Sequence, residues 1–156
     1  MRRYAQIALL APLLLLLAAC GDGVRERVFP PTVSLQELAL QQDGRWVLKL
    51  RLQNFSNVPM RFDRVDATLQ IATAPAGKIA LAPDLSVGPE SAEIVEYVLL
   101  PGSAAANHVV MANQRRSNVA YALTGTIVSS EPDSRQDDFE FKSQLSAVPG
   151  LPGVLR

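Results

Sequence analysis

The chain has 156 residues, fifteen of them basic and fifteen acidic, so it is formally neutral, with 48% apolar residues, one cysteine and one histidine. Neutrality speaks against a nucleic-acid partner, which calls for a basic patch or stripe, and a single cysteine allows neither an internal disulfide nor a cysteine metal site. The length suits one domain of about 100–150 residues that buries its own core.

Arg2 and Arg3 precede an apolar run from Ile7 to Ala19 that only Pro12 interrupts. This run is shorter than the ~20 residues a bilayer-spanning helix needs, and no stop-transfer pattern follows, so residues 1–19 read as a signal peptide, with a retained anchor as the alternative. The paired arginines also fit a twin-arginine exporter, although the wider motif is missing. Leu17-Ala18-Ala19-Cys20 closes the run and resembles the lipobox of bacterial lipoproteins. That resemblance implies cleavage before Cys20, acylation of its thiol and amino group, and a membrane partner held through those acyl chains. Each buried methylene contributes about 0.8 kcal/mol, and anchoring becomes stable when two chains act together. Gly21 follows Cys20, which favours sorting to the outer membrane, while Asp22 keeps the inner membrane open. Losing Arg2 and Arg3 with the leader leaves thirteen basic and fifteen acidic residues.

Residues 20–31, with mixed charges and Pro30-Pro31, read as a tether that spans some ~35–40 Å when extended. Thr32 to Leu40 predicts a first strand: Val33 and Leu35 alternate, and the shift to Leu38 and Leu40 calls for a bulge. Gln41-Gln42-Asp43-Gly44 supplies a hairpin turn. Trp46, Leu48, Leu50 and Leu52 then alternate with Val47, Lys49, Arg51 and Gln53, the period of a strand with one buried face. Asn54-Phe55-Ser56-Asn57 breaks this pattern, and Val58-Pro59-Met60 leads into a short extended piece. Val65, Ala67, Leu69 and Ile71 mark a third strand, Ala74-Pro75-Ala76-Gly77 a turn, and Lys78 to Ala82 a short return. Leu85 and Val87 suit a brief edge segment, since proline-rich surroundings belong at edges. Glu93 to Leu100 predicts another strand. Ala104 to Gln114 has the only good helical character, with Ser103 as its cap and Ala105, Ala106, Val109 and Met111 or Ala112 on its apolar side. Val119, Tyr121, Leu123 and Ile127 then form a strand, Ser129 to Asp138 a charged loop, and Phe139, Phe141 and Leu145 a last strand. Residues 150–156 read as a proline-glycine tail.

Short strands, turn signals about every ten residues and one helix predict an all-β fold, an antiparallel β-sandwich of the immunoglobulin or fibronectin type III kind over residues 32–149, with a small barrel as the alternative. Val33-Ser34-Leu35, Leu48 to Asn54 running into Val58-Pro59, Asp66-Ala67-Thr68-Leu69, Tyr121 to Gly125 and Phe139 to Ser143 with Leu145 and Val148-Pro149 together resemble the type 2 late embryogenesis abundant family, the water stress and hypersensitive response domain. The bacterial lipoprotein members look most similar. The likeness is a distributed pattern without a catalytic signature, and Phe55 stands where the family's Asn-Pro-Asn turn places proline. It implies a fibronectin-like sandwich associated with desiccation and stress tolerance that acts by protecting proteins or contacting lipid, with no cofactor.

Chemical sites are weakly marked. His108, the sole histidine, sits on the predicted helix without a neighbouring nucleophile motif, so a surface histidine is the better account than a triad member. Glu131, Asp133, Asp137, Asp138 and Glu140 lack the alternating acids and central glycine of a calcium loop and read as a solvated hairpin. Arg115-Arg116, Lys49 and Arg51 are fewer than the four to eight clustered charges of polybasic lipid binding. Trp46 and the leucine row read as core. The helix either plugs the ends of the sheets, which is preferred, or gates a cleft for an acyl chain. The expected function is a non-enzymatic, lipid-anchored envelope protein with a stress-protective or protein-binding role; the alternative is a module that binds lipid or a hydrophobic ligand.

Overall fold

A computed structural model describes residues 25–156, and the lipobox positions Leu17, Ala18, Ala19 and Cys20 lie outside the described residues. In chain order the elements are β1 (Thr32–Leu40), β2 (Trp46–Gln53), β3 (Met60–Ile71), β4 (Ala74–Leu81), β5 (Leu85–Val87), β6 (Ala92–Leu99), α1 (Ser103–Arg115), β7 (Asn118–Glu131), β8 (Arg135–Ser146) and β9 (Val154–Leu155). One sheet has the order β6-β2-β1-β9, the other β4-β3-β7-β8, with β5 continuing the β4 edge along β3. Every pairing is antiparallel, as the sequence pattern of an all-β sandwich requires.

The period-two reading of β2 holds: Trp46, Leu48, Leu50 and Leu52 are each at most 1% exposed. They meet Phe62, Leu69, Ile71, Leu123 and Ile127 of the second sheet in one apolar cluster. Full burial of each leucine-sized side chain contributes about 1.5–3 kcal/mol, so this interface carries a cysteine-free domain. At Gly125 the two central strands of the second sheet approach so closely that an added Cβ would lie 2.1 Å from the Asp66 carbonyl oxygen. The β1 bulge falls where the change of phase places it, between Leu35 opposite Leu50 and Glu37 opposite Lys49. It turns Leu38 inward and Glu37 outward. The hairpin after β1 closes through Gln41 N–H to the Arg45 carbonyl at 2.9 Å, with Gly44 at a φ of 83° that glycine adopts without strain.

Several boundaries differ from the sequence reading. β3 starts at Met60 rather than near Val65, because irregularities between Arg61 and Arg64 interrupt its alternation. The chain reverses at Ala72-Thr73, where Ala72 takes a φ of 54°, and Ala74 to Gly77 belong to β4. Pro75 is tolerated because β4 is an edge, where a missing N–H costs no ladder bond. Ser103 is the first residue of α1, not its cap; Gly102 is the N-cap and makes no side-chain capping bond. Its N–H donates to the Ala76 carbonyl at 2.8 Å, and a Cβ there would crowd the Pro75 carbonyl oxygen. The charged loop shrinks to Pro132–Ser134, since β7 runs to Glu131 and β8 begins at Arg135. The proline-glycine tail contains β9, which adds to β1 and buries Leu155 completely.

A buried polar contact crosses between the sheets. The Tyr121 hydroxyl donates to the Leu35 carbonyl at 3.0 Å and accepts from the Leu35 N–H at 3.2 Å, at the bulge of β1. Burial pushes the Tyr121 phenol up, against a smaller opposing effect of the Leu35 backbone. A raised phenol stabilises the fold below its unfolded value of 10.0, and the contribution is lost as pH rises through the folded value. Tyr121→Phe orphans both Leu35 groups and is expected to cost about 1–3 kcal/mol in urea unfolding at pH 7. Its deficit relative to wild type should shrink above pH 10, where the wild type alone loses the phenol's contribution.

Candidate functional site

The N-terminal segment does not float free as a spacer. Arg27 N–H donates to Asn57 Oδ1 at 2.6 Å, Asn57 Nδ2 donates to the Arg25 carbonyl at 2.9 Å, and Phe29 N–H donates to Ser56 Oγ at 2.9 Å. Asn57 N–H also reaches the Arg27 carbonyl at 3.2 Å. Pro31 is buried, so the segment is tied down from Arg25 to the start of β1.

The loop that receives it is organised by Asn54, which is fully buried. Its amide nitrogen lies within hydrogen-bond distance of the carbonyls of Val58, Val87 and Gly88, at 2.8, 3.2 and 2.9 Å, while Oδ1 accepts from Ser56 N–H at 2.8 Å. Asn54 N–H donates to Ser91 across the neighbouring connection. One side chain thus ties the β2–β3 loop to the β5–β6 loop and, through Ser56, to the N-terminal segment. Two phenylalanines stand out from this end: Phe29 is 48% exposed and Phe55 50% exposed. The sequence carried a signal for both, an aromatic among charges at Phe29 and the departure from proline at Phe55.

The second surface of note is β6. It is an edge strand whose backbone ladder pairs with β2 alone, while the Tyr97 hydroxyl accepts from the Ala80 N–H of β4 at 3.5 Å. Val95, Tyr97 and Leu99 pair with Leu50, Leu48 and Trp46 on the core side, which leaves Ile94, Glu96 and Val98 outward. Ile94, Val98 and the following Leu100 are large exposed apolar residues. Apolar residues on both faces of one strand were the sequence signal. Ala92–Leu99 contains no proline or lysine, the residues that usually protect an edge, whereas the β4 edge has Pro75 and Lys78. Glu93 and Glu96 make no ion pair among the described residues.

The sequence-nominated chemical residues are dispersed. His108 is exposed on α1. Asp137 points inward and is held by Arg135, whereas Glu131, Asp133, Asp138 and Glu140 are exposed, so strand alternation divides the acidic group between two faces. Among the described residues no three potential metal ligands converge. Lys49 is spent on Glu37 at 2.9 Å and Arg51 on Gln53 at 2.7 Å, while Arg116 closes the helix in a left-handed conformation with a φ of 51°. The helix seats Ala105, Val109 and Ala112 on the core, each at most 5% exposed, so it plugs the sheet ends at that contact. Beside it an open hollow of about 250 Å³ is lined by His108, Met111, Arg115 and Asn118, among others, and has a mixed polar and apolar surface.

The sequence matches no protein-family model and no curated protein. Several solved structures are similar to it. A solution structure from Arabidopsis thaliana is 14% identical over 80% of this chain and 89% of its own, with a TM-score of 0.51. A crystal structure from Archaeoglobus fulgidus is 13% identical over 78% of this chain and 98% of its own, with a TM-score of 0.45. A solution structure assigned provisionally to the late embryogenesis abundant (LEA) proteins is 11% identical over 94% of this chain and 87% of its own, with a TM-score of 0.44. At 14% identity the likeness to the first of these is one of fold alone.

Two expectations follow from these contacts. Asn54→Ala leaves several buried carbonyls and the Ser56 N–H without a partner and should lower unfolding stability by about 2–3 kcal/mol, with the earliest hydrogen exchange in residues 27–29 and 54–58. Glu37 bridges Lys49 and Arg156, the latter at 2.6 Å; its hydrogen bonds to Lys49 and then Arg156 hold its carboxyl below the ordinary 4.5. A lowered carboxyl stabilises the fold above the unfolded value and loses that contribution as pH falls through the folded one. Denaturant midpoints of wild type and Glu37→Gln should therefore differ at pH 7 and converge below pH 4.5.

Proposed function

We propose that this chain is a lipid-anchored, non-enzymatic protein of the bacterial cell envelope, facing the periplasm, that binds exposed extended segments of other proteins under water stress. The observation that carries the reading is β6: an edge strand without proline or lysine, with Ile94, Val98 and Leu100 exposed. An added strand obtains main-chain hydrogen bonds from such an edge and side-chain contacts from its apolar face. Glu93 and Glu96 favour clients whose apolar segments carry basic residues.

Support for the anchor comes from Leu17-Ala18-Ala19-Cys20. Gly21 after Cys20 favours the outer membrane over the inner. Support for the stress role comes from the distributed resemblance to the type 2 late embryogenesis abundant family, together with the shared sandwich architecture. Support for a non-enzymatic role comes from the dispersal of the titratable groups, with His108 exposed on α1 and Asp137 committed to Arg135.

A drying and rehydration assay on an aggregation-prone enzyme tests the client reading. The wild-type domain should suppress light scattering, and Ile94→Lys/Val98→Lys should lose most of that protection with unchanged unfolding stability, because both sites are exposed. Equal protection by the variant would remove β6 from the account, and no protection by either protein would overturn the client-binding role. Metabolic labelling with a fatty acid tests the anchor: label should follow the wild type into the envelope fraction and be absent from Cys20→Ser.

A further inference from the structure

We infer that the end of the sandwich formed by the N-terminal segment and the Asn54–Asn57 loop is a bilayer-docking surface, with Phe29 and Phe55 as interfacial wedges and Arg25 and Arg27 on lipid phosphates. This rests on acylation of Cys20. The described chain begins at Arg25, only five residues after Cys20, so Arg25 lies within about 18 Å of the anchor. Because residues 25–31 are docked, that short link leads to one fixed place on the domain, beside Ser56 and Asn57.

At that place two large aromatic side chains are half exposed on rigid supports. Phe55 lies between the buried residues Asn54 and Ser56, and Phe29 is held by Ser56 Oγ. Amphipathic and aromatic groups partition to the headgroup level, and one attachment is strengthened when a second signal acts beside it. Arg25 and Arg27 are exposed, and neither makes an ion pair among the described residues. Planar guanidinium groups match phosphate oxygens, which zwitterionic and anionic headgroups share. Glu26, Glu90, Glu131 and Asp133 near the same end set a limit: contact is with individual phosphates through the arginines and not through a polybasic field.

The opposite end also exposes apolar residues, at Val110 and Met111 on α1 and at Leu151. β2 alone spans eight residues, about 26 Å, which exceeds the reach of the five-residue link. The helix end therefore cannot stand on the bilayer that holds Cys20 while the chain leaves from the other end.

The test uses the acylated full-length protein reconstituted into phosphatidylethanolamine–phosphatidylglycerol vesicles, with a polarity-sensitive fluorophore on a single introduced thiol. Phe55→Cys places it on the docking end, and Gln42→Cys, in the β1–β2 turn, places it on the far end. Both sites are exposed, so folding is not at issue. The expected result is a blue-shifted emission at position 55, lost largely to lipid-attached nitroxide quenchers, and water-like, unquenched emission at position 42. Flotation with the vesicles but water-like emission at both positions would overturn the docking while leaving the anchor intact. Failure to float would overturn the anchor and the docking with it. Phe29→Ser in the Phe55→Cys background should weaken the quenching, and unchanged quenching would remove Phe29 from the contact.

Discussion

The hydroxyl of Tyr121 is bonded to both backbone groups of Leu35, and much of the architecture follows from that contact. β9 pairs with β1 only at Leu38 and Ala39, so the part of β1 before its bulge lacks a backbone neighbour on that side. A buried backbone group without a partner costs about 1–3 kcal/mol. Tyr121 supplies the partner from the other sheet and so fixes the spacing of the two layers where the bulge breaks the ladder. The bulge in turn lets Leu38 enter the core while Glu37 turns out to Lys49 and Arg156. The last residue of the chain is thereby clamped to its first strand, a long-range closure made without a disulfide.

Asn54 plays the corresponding part at the other end of β2. Apolar packing is nondirectional and tolerates sliding, whereas an amide whose donors and acceptor all find partners specifies a position. The bonds of one side chain hold the β2–β3 and β5–β6 loops in register. The consequence reaches past the loops: Ser56 and Asn57, placed by this knot, hold Arg25 to Phe29.

Side-chain period carried the sandwich, the leucine face of β2 and the β1 bulge, because each is a local alternation or a change of its phase. Where the sequence reading erred, a tertiary neighbour overrode a local signal. Pro75 and Gly77 are turn residues by composition, yet an edge strand accommodates them. Ser129 to Asp138 reads as a charged loop, yet β7 and β8 pair from Ser129 opposite Arg135 onward and alternation leaves most of the charges in solvent. Val154-Leu155 is too short to show any period and is a strand only because β1 has a free edge there. The docked segment was equally illegible, since its bonds join residues 27 to 32 positions apart. What the sequence did mark were the exceptions: Phe55 in place of proline, and apolar residues on both faces of β6.

Docking of residues 25–31 changes the mechanics of the tether. A free linker from Cys20 to Pro31 would let the domain rotate and stand as much as ~40 Å from the headgroups. Under the proposed anchoring, a link shortened to five residues makes contact between Phe55 and the bilayer an intramolecular event, and effective concentration rises as such a link shortens. It also selects an orientation. β6 runs from Ala92, paired with Gln53 beside the docked segment, to Leu99, paired with Trp46 at the opposite end, so under the proposed anchoring its free edge extends away from the membrane. In the proposed reading a client strand adds along Ile94 and Val98 without competing with the bilayer for the same apolar groups. In the proposed reading, the length of β2 separates a lipid-facing end, with Phe29 and Phe55, from the β6 edge that takes up polypeptide along the side of the domain.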